Sequence, residues 1–261
     1  MNLAALVEYD GTGFAGFQRQ PHERGPTVQG ALEAAIARVA GEAVTLEAAG
    51  RTDRGVHATG QVVNFHVPAR HDPATWQHAL NALLPPDIAV RAVREVAEDF
   101  RARWSAVSRS YRYRILSASV RAPLRERYVW RVPHSLDVTA MATAAALTLG
   151  EHDFGAFGSS PRDQRATGVR AHTVRTMLSV AVAVLASQLD EIACDFTGNA
   201  FLTGMVRRLV ATLVQVGTGQ RSVAEFVAAL AAADKTLAAP AAPACGLCLV
   251  GVTYPSGALV W

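Results

Sequence analysis

Apolar positions along this chain fall into two alternating periods, short continuous runs and stretches spaced three and four apart. Leu3 to Tyr9 is a short apolar run and reads as a buried strand. Thr27 to Ala40 carries Val28, Leu32, Ala35, Ile36 and Val39 at helical spacing behind a threonine suited to cap the helix. Val44 to Ala48 and Gly60 to Val67 read as strands on either side of a turn. Ala74 to Leu84 reads as a helix stopped by Pro85 and Pro86, and Ile88 to Glu95 and Ala106 to Leu116 as further strands. This β-α-β-β-α-β order suggests a ferredoxin-like sandwich. The remainder is less regular. It predicts a helix near Val138 to Leu149, strands across Thr173 to Ala186 and Leu189 to Phe196, helices across Thr203 to Val216 and Val223 to Ala233, and a last strand from Leu247 to Tyr254. Ser159 to Gly168 holds turn formers and charges without periodicity and is expected to be a mobile loop. Pattern alone reaches an α+β fold, divided into an amino-terminal half, 1–105, and a carboxy-terminal half, 106–261.

Composition narrows the class. With 261 residues, half of them hydrophobic, the chain can bury a sizeable core. The amino terminus lacks a basic region and carries Glu8 early, and the alanine-rich tract from Ala224 to Ala233 is too short to span a bilayer, so a cytoplasmic protein is expected. Three cysteines do not make a disulfide scaffold. Cys245 and Cys248 form a Cys-x-x-Cys without a second pair of metal ligands, and they lead into a strand rather than a helix, so they read as structural thiols. The net charge of +3 is mild but unevenly placed. Arg101, Arg103, Arg109, Arg112, Arg114, Arg121, Arg125, Arg127 and Arg131 face the single acid Glu126 within their span, interleaved with Trp104, Tyr111, Tyr113, Tyr128 and Trp130. Such a stretch fits a surface that neutralises phosphates and stacks bases.

The chemistry concentrates at Ala49 to Gln61, where Asp53 lies between Arg51 and Arg54 on a glycine-bounded turn. Flanking guanidiniums favour the ionised carboxylate, which suits nucleophilic attack or charge stabilisation better than proton donation. The plain alternative is a solvated ion pair at a turn. Gly11-x-Gly13-x-x-Gly16 follows a strand like a dinucleotide fingerprint, yet no helix opens on its last glycine and no acid ends a second strand at the needed distance. A glycoside hydrolase would need a second carboxylate across the scissile bond, and none presents itself. Arg207 borders the apolar stripe Val206, Leu209, Val210 and Leu213, so it is expected to be partly buried and to need an anion, for which Asp53 is the expected partner.

Gly50-Arg51-Thr52-Asp53-x-Gly55-Val56-His57-Ala58 resembles the signature of the tRNA pseudouridine synthase A family. The resemblance runs almost the whole chain in the family's order. It includes Tyr9 to Gln18, Asn81 to Pro85, Phe100 to Arg103, Arg109 to Tyr113, Gly150 to Phe154, Asn199 to Leu202, Met205 to Arg207, and Gly246-Leu247. It implies two ferredoxin-like (RRM-like) halves sharing a continuous antiparallel sheet with helices on one side, an active-site cleft between the halves, and a homodimer that cradles tRNA. It implies isomerisation of uridines 38, 39 and 40 in the anticodon arm, needing neither metal nor redox cofactor. By the same resemblance Asp53 is the nucleophile, attacking either C1′ of the ribose or C6 of the ring. Arg51 assists base flipping, while Tyr111 packs on the flipped uracil, is a candidate acceptor for the C5 proton, and shares the substrate pocket with Leu247. Arg101, Arg103, Arg162 and Arg165 are expected to contact RNA. His57 is read as structural. Thr203 departs from the pattern, standing where the family commonly carries a basic residue. The non-enzymatic alternative is a tRNA-binding module of the same fold.

Overall fold

The computed structural model describes residues 1–20, 24–68, 71–159, 172–186, 188–259 and 261. In chain order its elements begin with β1 (Asn2–Tyr9), α1 (Val28–Ala40), β2 (Leu46–Ala48), β3 (His57–His66), α2 (Pro73–Leu83) and β4 (Ile88–Val96). They continue with β5 (Ser108–Ser117), β6 (Trp130–Val132), α3 (Val138–Ala146), β7 (Gly150–Asp153), β8 (Val174–Leu185) and β9 (Gln188–Gly198). α4 (Met205–Gly217), α5 (Val223–Ala232) and β10 (Leu247–Thr253) complete the chain. The fold is α+β with mostly antiparallel strand pairing. No helix among the described residues is long and apolar enough to cross a membrane.

The chain divides into two compact units, Met1–Arg109 with Cys248–Trp261, and Ser110–Leu247. In the first, β1 lies between β4 and β3, antiparallel to both. The far edge of β3 takes β2 at one end, pairing Leu46 with Phe65, and β10 in parallel at the other, pairing Cys248 with His57. β1 alternates poorly because both of its faces are covered. Leu3, Ala4, Ala5 and Val7 are all buried, as a strand enclosed on two sides requires. On one face Phe65 meets Trp76 of α2 edge to face at 5.8 Å. On the other, Ala4 and Val62 pack with Phe100, Ala102 and Tyr254.

Helix ends follow local chemistry. The Thr27 hydroxyl accepts from the Gly30 amide at the start of α1, and Asp72 caps α2, whose Pro73 needs no amide partner. Sequence and structure differ where pairing is long-range. β3 begins at His57 rather than Gly60, because the distant β10 supplies partners for His57 and Ala58. Residues 248–261, expected with the carboxy-terminal half, pack with the first unit for the same reason. The strand expected to close the first half is split, with Ser110 to Ser117 belonging to the second unit.

In the second unit β9 lies between β5 and β8, β7 borders β8, and β6 runs parallel to β5. α3 packs on β8 and α4. α4 begins at Met205, two residues later than the apolar period suggests, because Gly204 at φ 73° precedes it. β6 and β7 carry no readable period in the sequence.

Candidate active site

Asp53 sits in a turn closed by the Val56 amide donating to the Asp53 carbonyl at 3.2 Å. Gly55, at φ 78°, occupies the left-handed corner of this turn, a position that favours glycine. The Asp53 side chain is half-buried, with Arg51 and Arg54 exposed beside it. Neighbouring strands fix the loop through neutral hydrogen bonds. The Tyr9 and Thr52 hydroxyls bond at 2.8 Å, and the Gln61 amide brackets Gly50, donating to its carbonyl at 2.8 Å and accepting from its N–H at 3.3 Å. The Phe17 amide donates to the Thr52 carbonyl at 3.0 Å. His57 Nδ1 lies 3.1 Å from both the Gly11 amide nitrogen and Asp10 Oδ1. A Cβ on Gly11 would fall 2.0 Å from the Val56 carbonyl oxygen. The first glycine of the apparent dinucleotide fingerprint is therefore explained by close approach to the Asp53 loop.

Arg51, Arg101 and Arg103 line one open groove of about 720 Å³ in the first unit, together with Glu47, Asn64 and His66. Arg101 and Arg103 stand on a segment clamped from beneath. Asn2 Nδ2 donates to the carbonyls of Ala97 and Phe100, each at 2.9 Å, and Asn64 accepts from the Ala102 amide at 2.8 Å while donating to Asn2 at 3.1 Å. The Tyr254 hydroxyl donates to the Ala102 carbonyl at 2.8 Å, and burial pushes its pKa above the usual phenol range. Arg109 donates to the Ala49 carbonyl at 3.1 Å and to the Arg103 carbonyl, tying the Asp53 loop to the arginine segment. Arg101 is held bidentately by Glu47, at 3.1 and 2.8 Å, and that hydrogen bonding raises its pKa.

In the second unit, Tyr111, Tyr113 and Ile115 share the buried face of β5. Tyr111 is 9% exposed and meets Phe201 edge to face at 5.0 Å. The Tyr113 hydroxyl donates to the Pro243 carbonyl at 2.7 Å, and desolvation raises its pKa above the usual phenol range. Arg207, half-buried as its place beside the apolar stripe predicts, donates from Nε to the Ala242 carbonyl at 2.7 Å. Arg207 and Tyr113 thereby fasten the segment that ends at buried Leu247. Thr203 is exposed and bridges to Ser159 through the backbone. Arg162 and Arg165 lie outside the described residues.

The arginine-rich stretch needs one correction. Its charge looked unopposed because its acids lie elsewhere in the chain. Arg101 pairs with Glu47, Arg112 with Asp195, Arg114 with Glu191, and Arg125 with both Asp190 and Glu191. Glu126 takes both Arg121 and Arg131. Much of this charge is structural. Sequence reading gave no role to Tyr9, Gln61, Asn2 and Asn64, polar side chains within or at the ends of apolar strands.

The family model described as tRNA pseudouridine synthase matches residues 5–105 and 144–255. A tRNA pseudouridine synthase A of Chloroflexus aurantiacus is 44% identical over 260 residues, covering 99% of this chain and 91% of its own. Proteins of the same name from a Methylobacterium species and from Xanthomonas campestris are 46% identical over 252 residues and 42% identical over 258, covering 96% and 98% of this chain and 96% of each relative. A solved Cbf5–Nop10–Gar1 complex aligns with a TM-score of only 0.32 at 10% identity, covering 81% of this chain and 54% of that one, and carries no weight for the fold. With near-complete coverage by relatives of one name, the chain belongs to the tRNA pseudouridine synthases, enzymes that isomerise uridine to pseudouridine in tRNA.

Proposed function

We propose that this enzyme acts on uridines 38, 39 and 40 of the tRNA anticodon arm with Asp53 as its nucleophile. The observation that carries the reading is the fixing of a half-buried aspartate loop by Tyr9, Gln61 and the Phe17 amide, beside a groove lined by three arginines. An attacking group gains from being held in one geometry before the substrate arrives. Asp53 attacks C1′ or C6. Attack at C1′ breaks N1–C1′, the uracil turns within the site, and C5 bonds to C1′ as the Asp53–C1′ bond breaks; attack at C6 gives a ring adduct whose N1–C1′ bond breaks, and Asp53 is expelled from C6 once C5 has bonded to C1′. Either way the C5 proton is lost while N1 regains one. No atom is added and no electron exchanged.

Extruding the target base costs a few kcal/mol of stacking, which contacts from Arg51 help to offset. Tyr111 packs on the everted uracil and is a candidate for receiving the C5 proton, Leu247 shares that pocket, and Arg207 provides the cation for Asp53. Arg101 and Arg103 engage the RNA backbone, with Arg162 and Arg165 joining them. On this reading the two units are ferredoxin-like halves of one sheet with the cleft between them, and a cytoplasmic homodimer cradles the tRNA. The order β4-β1-β3-β2 in the first unit is that of a βαββαβ fold and supports the first point.

Tritium release from C5-labelled tRNA uridine tests the assignment. Asp53→Asn should release roughly 10⁴- to 10⁶-fold more slowly than the unaltered enzyme, the range seen when members of a nucleophilic site are removed elsewhere, with tRNA still bound. Release at the unaltered rate would remove Asp53 from the mechanism.

A further inference from the structure

Of the five aromatic residues interleaved with arginines from Trp104 to Trp130, the structure buries Tyr113 fully and Tyr111 nearly so, but leaves Trp104 61% exposed. An indole in water is hydrophobic area left uncovered, and tryptophan is a residue that binding surfaces favour. Its backbone is not loose. The Ser105 amide donates to the Arg101 carbonyl at 2.8 Å and the Arg101 amide to Ser105 Oγ at 3.1 Å, closing a turn around Trp104. Buried Asn64 and Tyr254 hold Ala102, and Arg109 holds the Arg103 carbonyl. The Arg103 guanidinium carbon lies 4.9 Å from the centre of the Trp104 ring, within cation–π range, and the same Arg103 lines the groove shared by Arg51 and Arg101.

A flat aromatic surface fixed to a rigid turn, beside the Arg103 that lines one groove with Arg51 of the Asp53 loop, fits an unpaired nucleotide better than a protein partner. The neighbouring guanidiniums meet phosphate while the ring meets a base, and every base offers a face to stack. We infer that Trp104, with Arg103, is a stacking platform for an unpaired base of the tRNA that flanks the target uridine. It is a positioning residue, without contact to the reacting atoms. The inference rests on the anticodon arm as substrate, because there unpaired loop bases adjoin the modified positions.

The test uses full-length protein, unmodified tRNA transcript and the isolated anticodon hairpin. Trp104→Ala should weaken tRNA binding and raise KM roughly 5- to 150-fold, the loss expected for one base–aromatic stack. The single-turnover rate at saturating tRNA should stay within about 3-fold, and Trp104→Phe and Trp104→Tyr should recover most of the affinity, which a merely structural role would not produce. Transcripts made abasic at each unpaired loop position in turn should reveal one position that matters to the unaltered enzyme and not to Trp104→Ala. Unchanged affinity in Trp104→Ala, equal sensitivity of both proteins to every abasic position, or an altered oligomeric mass of the variant would overturn the assignment. Failure of the unaltered enzyme to modify the hairpin would instead count against the anticodon-arm reading, and so separates the two.

Discussion

The two units hold their functional strands by opposite means. Around the Asp53 loop and the Arg101–Ser105 turn of the first unit, the buried polar groups are mostly amides and hydroxyls, Asn2, Asn64, Gln61, Thr52, Tyr9 and Tyr254, with the His57 imidazole beside them. In the second unit, β9 is joined by charge to β5 and to the segment after it, with Arg114 of β5 and Arg125 of that segment converging on fully buried Glu191 and Arg125 reaching on to Asp190. Neutral bonds keep their strength when a polyanion and its counterions approach, whereas the partly exposed arm of the charged clamp, Arg125 with Asp190, is weakened by salt. On the proposed reading the division leaves surface cations near Asp53 to RNA while the loop beneath keeps its geometry, and it assigns much of the other arginine charge to architecture.

The largest expected effect is at the charged clamp. Glu191→Gln keeps the shape of the side chain but leaves two guanidiniums, each about a third exposed, sharing a neutral amide. Breaking a buried pair costs about 3 to 5 kcal/mol, and the partial exposure of both arginines brings the estimate to about 3. Denaturant unfolding should report that loss, or a melting temperature lower by roughly 6 to 10 °C. A variant as stable as the unaltered protein would mean that β5 and β9 do not depend on this charge.

Next comes the neutral clamp. Asn64→Ala removes the acceptor for the Ala102 amide and the donor to Asn2, leaving buried polar groups unmet at a cost of about 2 kcal/mol. Because Arg101 and Arg103 stand on the released segment, KM for tRNA should rise several-fold as well. Glu191→Gln should leave KM unchanged at temperatures where it is folded. If Asn64→Ala leaves KM untouched, the segment does not need this anchor.

Tyr9→Phe is smaller again, deleting one hydroxyl from the Thr52 bond for about 1 kcal/mol. The sharper readout is activity. A loosened Asp53 loop should lower the rate of the chemical step several-fold in single turnover while leaving tRNA affinity alone. The reverse pattern would place Tyr9 in binding rather than in loop placement.

How far all this could be read beforehand depended on the range of the interaction. Thr27 as a cap, Pro85 as a stop and the apolar periods of α1, α2 and α4 are local, and the elements begin within two residues of where those signals put them. The Asp53 turn was legible because Gly55 and the flanking arginines are adjacent in sequence. β6 and β7 are too short to show a period, and the pairing of β10 with β3 has no local trace. The arginine run misled for the same reason, since Glu47, Asp190, Glu191 and Asp195 oppose it only once strands pair. Gln61 and Asn64 are polar positions inside an apolar strand and Asn2 stands at the start of another, and such positions in a two-sided strand mark buried hydrogen-bond anchors.

Acid offers the finest test of the contrast. Hydrogen bonds from Arg125 hold the Asp190 carboxyl below its usual range. A carboxylate depressed in the folded state contributes stability that is fully present above its unfolded value, near 3.9, and is lost as pH falls through the folded value. The tie between β9 and the segment after β5 should therefore loosen below about pH 4, while the amides beneath Arg101 have nothing to titrate. Hydrogen exchange, corrected for intrinsic rates, should show protection falling near Asp190 in β9 before it falls around Asn64 in β3. Asp190→Asn should flatten that dependence by removing one titrating group, even though it is less stable at neutral pH. Equal acid sensitivity of β3 and β9, or an unchanged slope in Asp190→Asn, would show that the two clamps do not differ in the way their chemistry requires.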